Sequence, residues 1–328
     1  MTPISVLDLS LITEGGSAAQ ALHNTRDLAQ HAERWGYRRY WVAEHHNMPG
    51  IASAATSVVI GHVASGTSTI RVGAGGIMLP NHAPLVIAEQ FGTLESLYPG
   101  RIDLGIGRAP GTDRMTSHAL RRTLTGDVDH FPHDVLELQN YFRDEQLGQP
   151  VRAVPGTGLK VPLWILGSSF YGAQLAAALG LPYGFASHFA PAVLMQALEI
   201  YRSRFKPSEQ LDKPYVMVGF NVFAADTDEE GQYLRSSAQQ STLNSRRGQP
   251  SPLPPPVADF ESQLSPPELA LLRETHACSV AGSPEIVRKG LESFIAQTEA
   301  DEVMVSSHIF DHTARLRSFE IVADVMLV

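Results

Sequence analysis

Short apolar runs alternate with longer amphipathic stretches along the chain. Runs rich in β-branched and aromatic residues predict strands, and stretches with apolar residues every three or four positions predict helices. The predicted strands are Ile4–Leu9, Tyr40–Ala43, Ile70–Gly76, Ile102–Gly107, Leu163–Gly167, Tyr183–Ala186, Tyr215–Ala225 and Glu302–Ser306. The predicted helices lie near Ser17–Trp35, Ser53–Ala64, Leu85–Leu97, His133–Glu145, Tyr171–Leu179, Pro191–Phe205, Asp228–Thr242, Pro284–Gln297 and Asp311–Val325.

This regular alternation predicts parallel strands that are joined by right-handed helical crossovers. An open, doubly wound sheet would also satisfy the alternation. Eight strand–helix units over 328 residues favour a closed barrel instead. We therefore predict an α/β fold with a single domain over residues 1–328, a (β/α)8 TIM barrel.

Two stretches exceed a minimal barrel, one after the fourth strand (Ala109–Phe131) and one after the seventh (Leu243–Pro267). The second contains the proline-rich run 252–256, and proline is excluded from helix interiors and central strands. This insertion is therefore either a semi-rigid surface connection or a lid over an active site. Apolar residues of the two insertions are expected to line a substrate cavity, namely Met115, Phe131, Leu253 and Phe260.

Composition narrows the choice of partners. A formal net charge of −9 without a local cluster of Lys and Arg argues against nucleic acid. No apolar run approaches the roughly 18 residues of a membrane span, and the N-terminus lacks a signal-peptide pattern. The single cysteine, Cys278, excludes an intramolecular disulfide framework and a multi-cysteine zinc site. We expect a cytoplasmic protein that acts on a small molecule.

Barrel active sites lie at the C-terminal ends of the strands, and the second strand ends in Glu44-His45-His46. Consecutive strand residues point to opposite faces, so His45 and His46 cannot both face inward. A metal site would favour the pattern His-x-His, and no metal is expected. We interpret His45 as a general acid or base with Glu44 beside it, because imidazole titrates near neutral pH. The alternative is that the pair only caps the strand.

The fourth and fifth strands end in residues typical of a phosphate site. Gly107 faces inward, where a glycine suits a flat ring close to the backbone, and Arg108 follows at the rim as a fixed charge. Ser168-Ser169 opens the helix after the fifth strand, and helix N-termini bind anions. Ser306-Ser307-His308 after the eighth strand is a competing site that spacing alone does not exclude. A surface arginine and ordinary N-cap serines remain the alternative.

Several segments together resemble the bacterial luciferase-like, flavin-dependent monooxygenases, and their spacing is kept without gaps from Glu44 to Arg108. These segments are Trp41–His46, Val72–Pro80, Gly100–Arg108, Leu166–Ser169 and Ala177–Pro182. Two further stretches are similar to the branch closest to the alkanal monooxygenases, Phe185–Phe189 and Asp311–Leu316.

The resemblance implies a (β/α)8 barrel that uses reduced FMN and oxygen to oxygenate a small, apolar organic substrate. A separate flavin reductase would supply the reduced FMN, since no Rossmann G-x-G-x-x-G follows a strand. Two alternatives remain: a relative that transfers hydride with a deazaflavin coenzyme, and a flavin-binding protein without turnover.

By the same resemblance, His45 matches the catalytic histidine. Arg108 and Ser168-Ser169 match the phosphate-binding region, which favours strands four and five over strand eight. Gly75-Gly76 matches a bulge under the flavin ring, where a non-proline cis peptide is expected.

Two positions depart from the family pattern. Gly107 stands where luciferase has a reactive cysteine, so light emission is not implied, and Gly172 stands where many relatives have a Ser or Thr that reaches the phosphate. The resemblance also implies a homodimer through the helices after strands two and three. In that dimer His46 of one chain would contact Glu89 of the other.

Overall fold

The computed structural model describes residues 2–109, 111–120, 130–145 and 148–327. Its strands are β1 (Ile4–Asp8), β2 (Arg39–Val42), β3 (Arg71–Met78), β4 (Ile102–Gly107), β5 (Leu163–Gly167), β6 (Tyr183–Phe185), β7 (Val216–Ala224), β8 (Ser279–Gly282) and β9 (Glu302–Ser306). Its helices are α1 (Ala18–Arg34), α2 (Thr56–Ala64), α3 (Pro84–Leu97), α4 (Arg114–Leu120), α5 (Phe131–Phe142), α6 (Phe170–Leu179), α7 (Leu194–Arg204), α8 (Asp228–Arg246), α9 (Pro266–Thr275), α10 (Pro284–Thr298) and α11 (His312–Met326). Among the described helices, none has the length and apolar character needed to cross a bilayer.

Eight of the strands close into a parallel barrel. Strands β1 to β6 pair in sequence order, β6 also pairs with β7, and β9 lies between β7 and β1. The predicted (β/α)8 barrel is therefore confirmed, with β9 as its eighth strand. Strand β8 is additional and pairs only with the second half of β7.

The insertions contain regular structure that the sequence analysis did not predict. Helix α4 lies in the insertion after β4, and residues 110 and 121–129 of that insertion lie outside the described part of the chain. Helix α9 follows the proline-rich run and begins where the Ser265 N–H donates to Glu268 Oε2 at 2.9 Å. This capping signal was present in the sequence, but the prolines around it favoured a loop. Strand β8, with four residues, is too short to show a period.

Three clusters of buried apolar side chains fill the described part of the molecule. The largest packs the outer face of the barrel against the helices, and another lies inside the barrel and consists of Leu7, Trp41, Ala43, Trp164, Met217 and Met304. The third includes Phe223 of β7 and Leu234 of α8. At the N-terminal ends of the strands, buried Arg39 contacts Asp103 at 2.6 Å and Glu302 at 3.0 Å. Ion pairs and aromatic rings thus fill the barrel at the N-terminal ends of the strands. The C-terminal mouth is therefore the end at which an active site can form.

Candidate active site at the C-terminal mouth

His45 lies at the mouth, just after β2. Trp41 and Ala43 belong to the cluster inside the barrel, so His45 continues the inward-facing alternation as the sequence predicted. Its Nδ1 is buried and has no hydrogen-bond partner in the described part of the chain. Burial lowers the pKa of His45, and the neighbouring Glu44 carboxylate only partly opposes this. The ring is therefore neutral near pH 7 and can accept a proton.

Glu44 points away from the barrel interior and is saturated with hydrogen bonds. Its carboxylate accepts from His46 Nε2 at 2.8 Å, from His82 Nε2 at 2.9 Å and from the Met78 N–H at 3.1 Å. Burial disfavours the charge, but the bonds from His82 and His46 outweigh it and hold the pKa of Glu44 below its usual value. Glu44 is thus an ionised anchor that fixes the loops after β2 and β3.

The same three side chains have the composition of a two-histidine, one-carboxylate metal site. The ligand atoms of Glu44, His46 and His82 lie within 4.8 Å of one another, which is close enough to share an ion. The hydrogen bonds described above account for this spacing without an ion. The absence of a metal therefore stays a prediction.

The expected non-proline cis peptide is present between Gly75 and Gly76 in β3. The register of β3 against β4 shifts at this point, which marks a bulge. A Cβ on Gly76 would lie 2.6 Å from Leu166 Cδ1, and a Cβ on Gly75 would lie 2.7 Å from Leu7 Cδ1. Only glycine fits at this bulge, because the floor of the mouth packs directly against its backbone.

Arg108 and the start of α6 lie side by side at the rim. The Arg108 guanidinium carbon stands 4.0 Å from the centre of the Tyr171 ring, and Arg108 is exposed without an ion pair in the described part of the chain. Ser169 is the N-cap of α6, and its side chain makes no capping hydrogen bond. Tyr183 holds this turn by donating to the Ser169 carbonyl at 3.2 Å. A free guanidinium beside an uncapped helix N-terminus can bind an anion.

The glycines around this rim have packing causes. A Cβ on Gly107 would lie 3.1 Å from Met78 Sδ, and one on Gly172 would lie 3.3 Å from Tyr183 Cε2. A Ser or Thr at position 172, as the family resemblance leads one to expect, would require Tyr183 to shift by a few tenths of an ångström. A Cβ on Gly105 would lie 2.3 Å from the Ala74 carbonyl oxygen, so this position also requires glycine.

The competing phosphate site after β9 is less suited to an anion. Helix α11 begins with Asp311, whose carboxylate accepts from the Ala314 N–H at 2.8 Å and already caps the helix. Ser307 donates to the Val222 carbonyl at 2.7 Å. An acidic cap repels phosphate, so the rim at β4 and β5 is the better anion site.

The proline-rich insertion is tied to the loop after β1. The Leu253 N–H donates to the Ile12 carbonyl, and the Glu14 N–H donates to the Leu253 carbonyl, both at 2.8 Å. Leu253 is buried there instead of lining a free cavity. Phe131 is also buried in the main core, whereas Met115 is 84% exposed. The expectation of a substrate-lining position is therefore wrong for Leu253 and Phe131, and for Met115 and the half-buried Phe260 it stays a prediction.

Two further histidines at the mouth were not singled out as catalytic by the sequence. His188 follows β6 and His308 follows β9, and each has one buried ring nitrogen without a partner among the described residues. Burial lowers the pKa of His188 to about 4 and that of His308 to about 3. Their position just after barrel strands was the available signal.

Comparison with known proteins identifies the family. The model of the luciferase-like monooxygenase family matches residues 2–302. A luciferase-like monooxygenase of Escherichia coli strain K12 is 56% identical over 98% of this chain and 96% of its own length. An N-acetyl-S-alkylcysteine monooxygenase of Bacillus subtilis is 32% identical over 100% of this chain and 99% of its own length.

Comparison with solved structures supports the same family. Apo-MsnO8 superposes with a TM-score of 0.92 at 35% identity and covers 100% of this chain and 99% of its own. More distant structures share the fold alone. They include the oxygenating constituent of 3,6-diketocamphane monooxygenase in complex with FMN (TM-score 0.73, 18% identity, 98% and 96% coverage) and an F420-dependent secondary alcohol dehydrogenase (0.68, 16%, 99% and 99%). The chain belongs to the luciferase-like monooxygenase family, and it carries that family's barrel with a histidine and an arginine at the mouth.

Proposed function

We propose that the protein is a monooxygenase that uses reduced FMN and oxygen to oxygenate a small organic substrate. A separate flavin reductase supplies the reduced FMN. The observation that carries the proposal is Arg108, which has no ion pair among the described residues and lies beside the uncapped N-terminus of α6, on the same mouth as His45. Related proteins support it, since one distant neighbour was solved with FMN and one relative is named a monooxygenase of N-acetyl-S-alkylcysteine.

The residues present fit FMN. Arg108 would pair with its phosphate, and the backbone N–H groups of α6 with Ser168 and Ser169 would complete the anion site. The glycine bulge at Gly75-Gly76 and the small Gly107 would let the flat ring lie close to the backbone. When bound in its reduced form, FMN would supply the electrons that activate oxygen.

His45 would hold or move a proton on the substrate side of the mouth. Its ring is neutral near pH 7 and its Nδ1 has no partner within the described residues. Glu44 has a different role, because its carboxylate is committed to His46 and His82. It would keep the loop that carries His45 in position without taking part in proton transfer.

Phosphate recognition is the sharpest test of this function. Arg108→Ala should weaken FMN binding by about 1.5–3 kcal/mol, the scale of a hydrogen bond to a charged group. Riboflavin lacks the phosphate and should bind the variant and the wild type almost equally, which makes it the matched control. Titration followed by flavin fluorescence measures both. An equal loss for FMN and riboflavin would make Arg108 a structural residue.

Oxygen use separates the proposed function from its alternatives. With reduced FMN present, the wild type should transfer one atom of labelled dioxygen to the organic substrate, the other atom leaving as water, which uncatalysed oxidation of reduced FMN does not do. Hydride transfer with a deazaflavin coenzyme and no oxygen consumption would identify the second candidate, for which a distant F420-dependent neighbour is a precedent. Flavin binding without either reaction would identify a binding protein.

We also propose that the chain forms a homodimer through α2 and α3. Large apolar side chains stand exposed on these helices, with Val58 at 71%, Val86 at 45% and Leu97 at 64% exposure. His46 already contacts Glu44 within one chain, and in the dimer it would also contact Glu89 of the second copy, with the reverse pair repeated by twofold symmetry. Light scattering should give the mass of two chains, and a mass near one chain would contradict the dimer.

A further inference from the structure

Glu44, at the end of β2, holds the neighbouring strand β3 and the turn after it at several points. Its backbone N–H donates to the Gly76 carbonyl at 3.3 Å. Its carboxylate accepts from the Met78 N–H at 3.1 Å and from His82 Nε2 at 2.9 Å. One residue therefore fixes the glycine bulge, the last residue of β3 and the turn that follows, all relative to the end of β2.

His82 closes the turn after β3. Its backbone N–H donates to the Leu79 carbonyl at 3.0 Å, and its ring reaches back to both oxygens of the Glu44 carboxylate, at 2.9 and 3.1 Å. The Glu44 side chain is 1% exposed and that of His82 is 27% exposed, so the bond is largely shielded from water. Burial raises the pKa of Glu44, and His82 opposes this more strongly than His46 or Met78 does. We call this charge-assisted pair the Glu44–His82 clamp.

The segment that the clamp holds forms one wall of the proposed flavin site. A Cβ on Gly107 would lie 3.1 Å from Met78 Sδ, and a Cβ on Gly111 would lie 3.0 Å from Met78 Cγ. Met78 therefore packs beside the end of β4, where the small Gly107 would let the flavin ring lie. A shift of the end of β3 would move both Met78 and the glycine bulge relative to that space.

The phosphate side of the proposed site is held by different contacts. Tyr183 of β6 donates to the Ser169 carbonyl at 3.2 Å, and the Arg108 guanidinium stacks on the Tyr171 ring. These contacts join the loop after β4 to α6 and β6, whereas the clamp joins the ends of β2 and β3. The ring side and the phosphate side can therefore be perturbed separately.

We propose that His82 is a positioning residue for the flavin ring: through Glu44 it holds the end of β3 in place, and it sets the affinity for the ring but not that for the phosphate. This inference rests on the proposed function for the identity of the ligand as a flavin. His82 acts without contacting the flavin. Its effect therefore depends on whether a replacement can still donate a hydrogen bond to Glu44.

The experiment measures the binding of oxidised FMN and of riboflavin by flavin fluorescence. His82→Leu removes the donor and should weaken the binding of both ligands by the same factor, about tenfold, the lower end of the range for a hydrogen bond to a charged group. The number of sites from each titration separates weaker binding from a partly unfolded sample. His23, exposed on α1, is the matched control, and His23→Leu should leave both affinities at the wild-type values.

Two amide substitutions test the geometry of the clamp. The side-chain nitrogen of a glutamine can take the place of His82 Nε2, whereas that of an asparagine falls near the place of Nδ1 and does not reach Glu44. His82→Gln should therefore restore both flavin affinities to nearly the wild-type values, and His82→Asn should not. A residue that only fills space has no need of a donor at this distance.

Arg108→Ala, measured in parallel, keeps this inference distinct from the proposed function, because it should lower the affinity for FMN alone. In the double variant the two losses of FMN affinity should multiply, since the two residues act on different parts of the flavin. An unchanged riboflavin affinity in folded His82→Leu, equal affinities of the glutamine and asparagine variants, or a loss confined to FMN would overturn the role of His82. The Arg108→Ala result would then still report on the phosphate site, and a wild type that binds neither flavin would overturn both proposals.

Discussion

The two ends of the barrel differ in how completely their buried side chains are hydrogen bonded, although the Glu44 carboxylate at the mouth is as fully bonded as the carboxylates at the other end. At the N-terminal end, the Asp103 carboxylate accepts hydrogen bonds from Arg39, Arg71 and the Trp41 ring. Glu302 accepts from Arg39, and from Tyr215 at 2.8 Å. At the C-terminal mouth, several ring nitrogens have no partner among the described residues.

This difference suggests that the N-terminal end of the barrel serves stability and that the C-terminal mouth serves function. Buried charges with complete hydrogen bonding lock a single arrangement, and removing one partner leaves the others unpaired. Buried groups with incomplete bonding cost free energy unless a ligand satisfies them. We therefore expect substitutions at the N-terminal end to change the free energy of unfolding, and substitutions at the mouth to change binding and rate.

His45→Ala is the largest expected effect and tests the mouth. If His45 moves a proton during turnover, the rate of substrate oxygenation should fall by roughly 10²–10⁴-fold. FMN binding should stay close to wild type, because the phosphate contacts lie on the other side of the mouth. Product formation at saturating reduced FMN measures the rate. A loss of FMN binding without a separate rate defect would make His45 a packing residue.

Arg39→Ala tests the opposite end. It should destabilise the fold by about 3–5 kcal/mol, because Asp103 and Glu302 would keep buried charges without their shared partner. Unfolding in denaturant measures this, and FMN affinity of the remaining folded protein should not change. Lys289→Ala is the control, since its ion pair with Glu285 is exposed and its loss should leave the free energy of unfolding close to wild type. Equal effects of the two substitutions would remove the distinction between the two ends.

The sequence predicted the barrel, because eight strand–helix periods and the strand ends are local features. It also placed His45 and Arg108 at the mouth, and the cis peptide at Gly75-Gly76 followed from family resemblance. It did not predict β8, whose four residues pair only with a strand distant in sequence.

The site was predictable only in part. The lack of partners at His188 depends on Gly219 in β7, a contact that no local pattern contains. The apolar insertion residues were misplaced for a similar reason, since Leu253 and Phe131 found partners elsewhere in the fold. Hydrophobicity predicts that such residues are buried, but not where.

The smallest expected effect is the pH dependence of stability, which in mildly acidic solution comes from buried imidazoles, those of His188 and His308 at the mouth and that of His276 at the end of α9. Burial lowers the pKa of His188 and of His276 to about 4 and that of His308 to about 3, against an unfolded value of about 6.5. Below pH 6.5 these imidazoles are protonated in the unfolded chain but stay neutral in the folded chain. Stability is therefore full above pH 6.5 and falls as the pH drops towards 4.

The paired carboxylates of the protein do not contribute in this window. Burial opposes the charge of Asp8, but Arg315 and its other partners hold its pKa at about 2, so its share of the stability is lost only below its ordinary value of 3.8. Free energies of unfolding at pH 7.5, 6.5 and 5.5 should therefore decrease only below pH 6.5. His188→Phe removes one titrating group and should make the decrease shallower, whereas His23→Asn should not. A free energy of unfolding that does not change between pH 7.5 and 5.5 would mean that the imidazoles at the mouth are already hydrated. The difference in hydrogen bonding between the two ends of the barrel would then be smaller than the structure indicates.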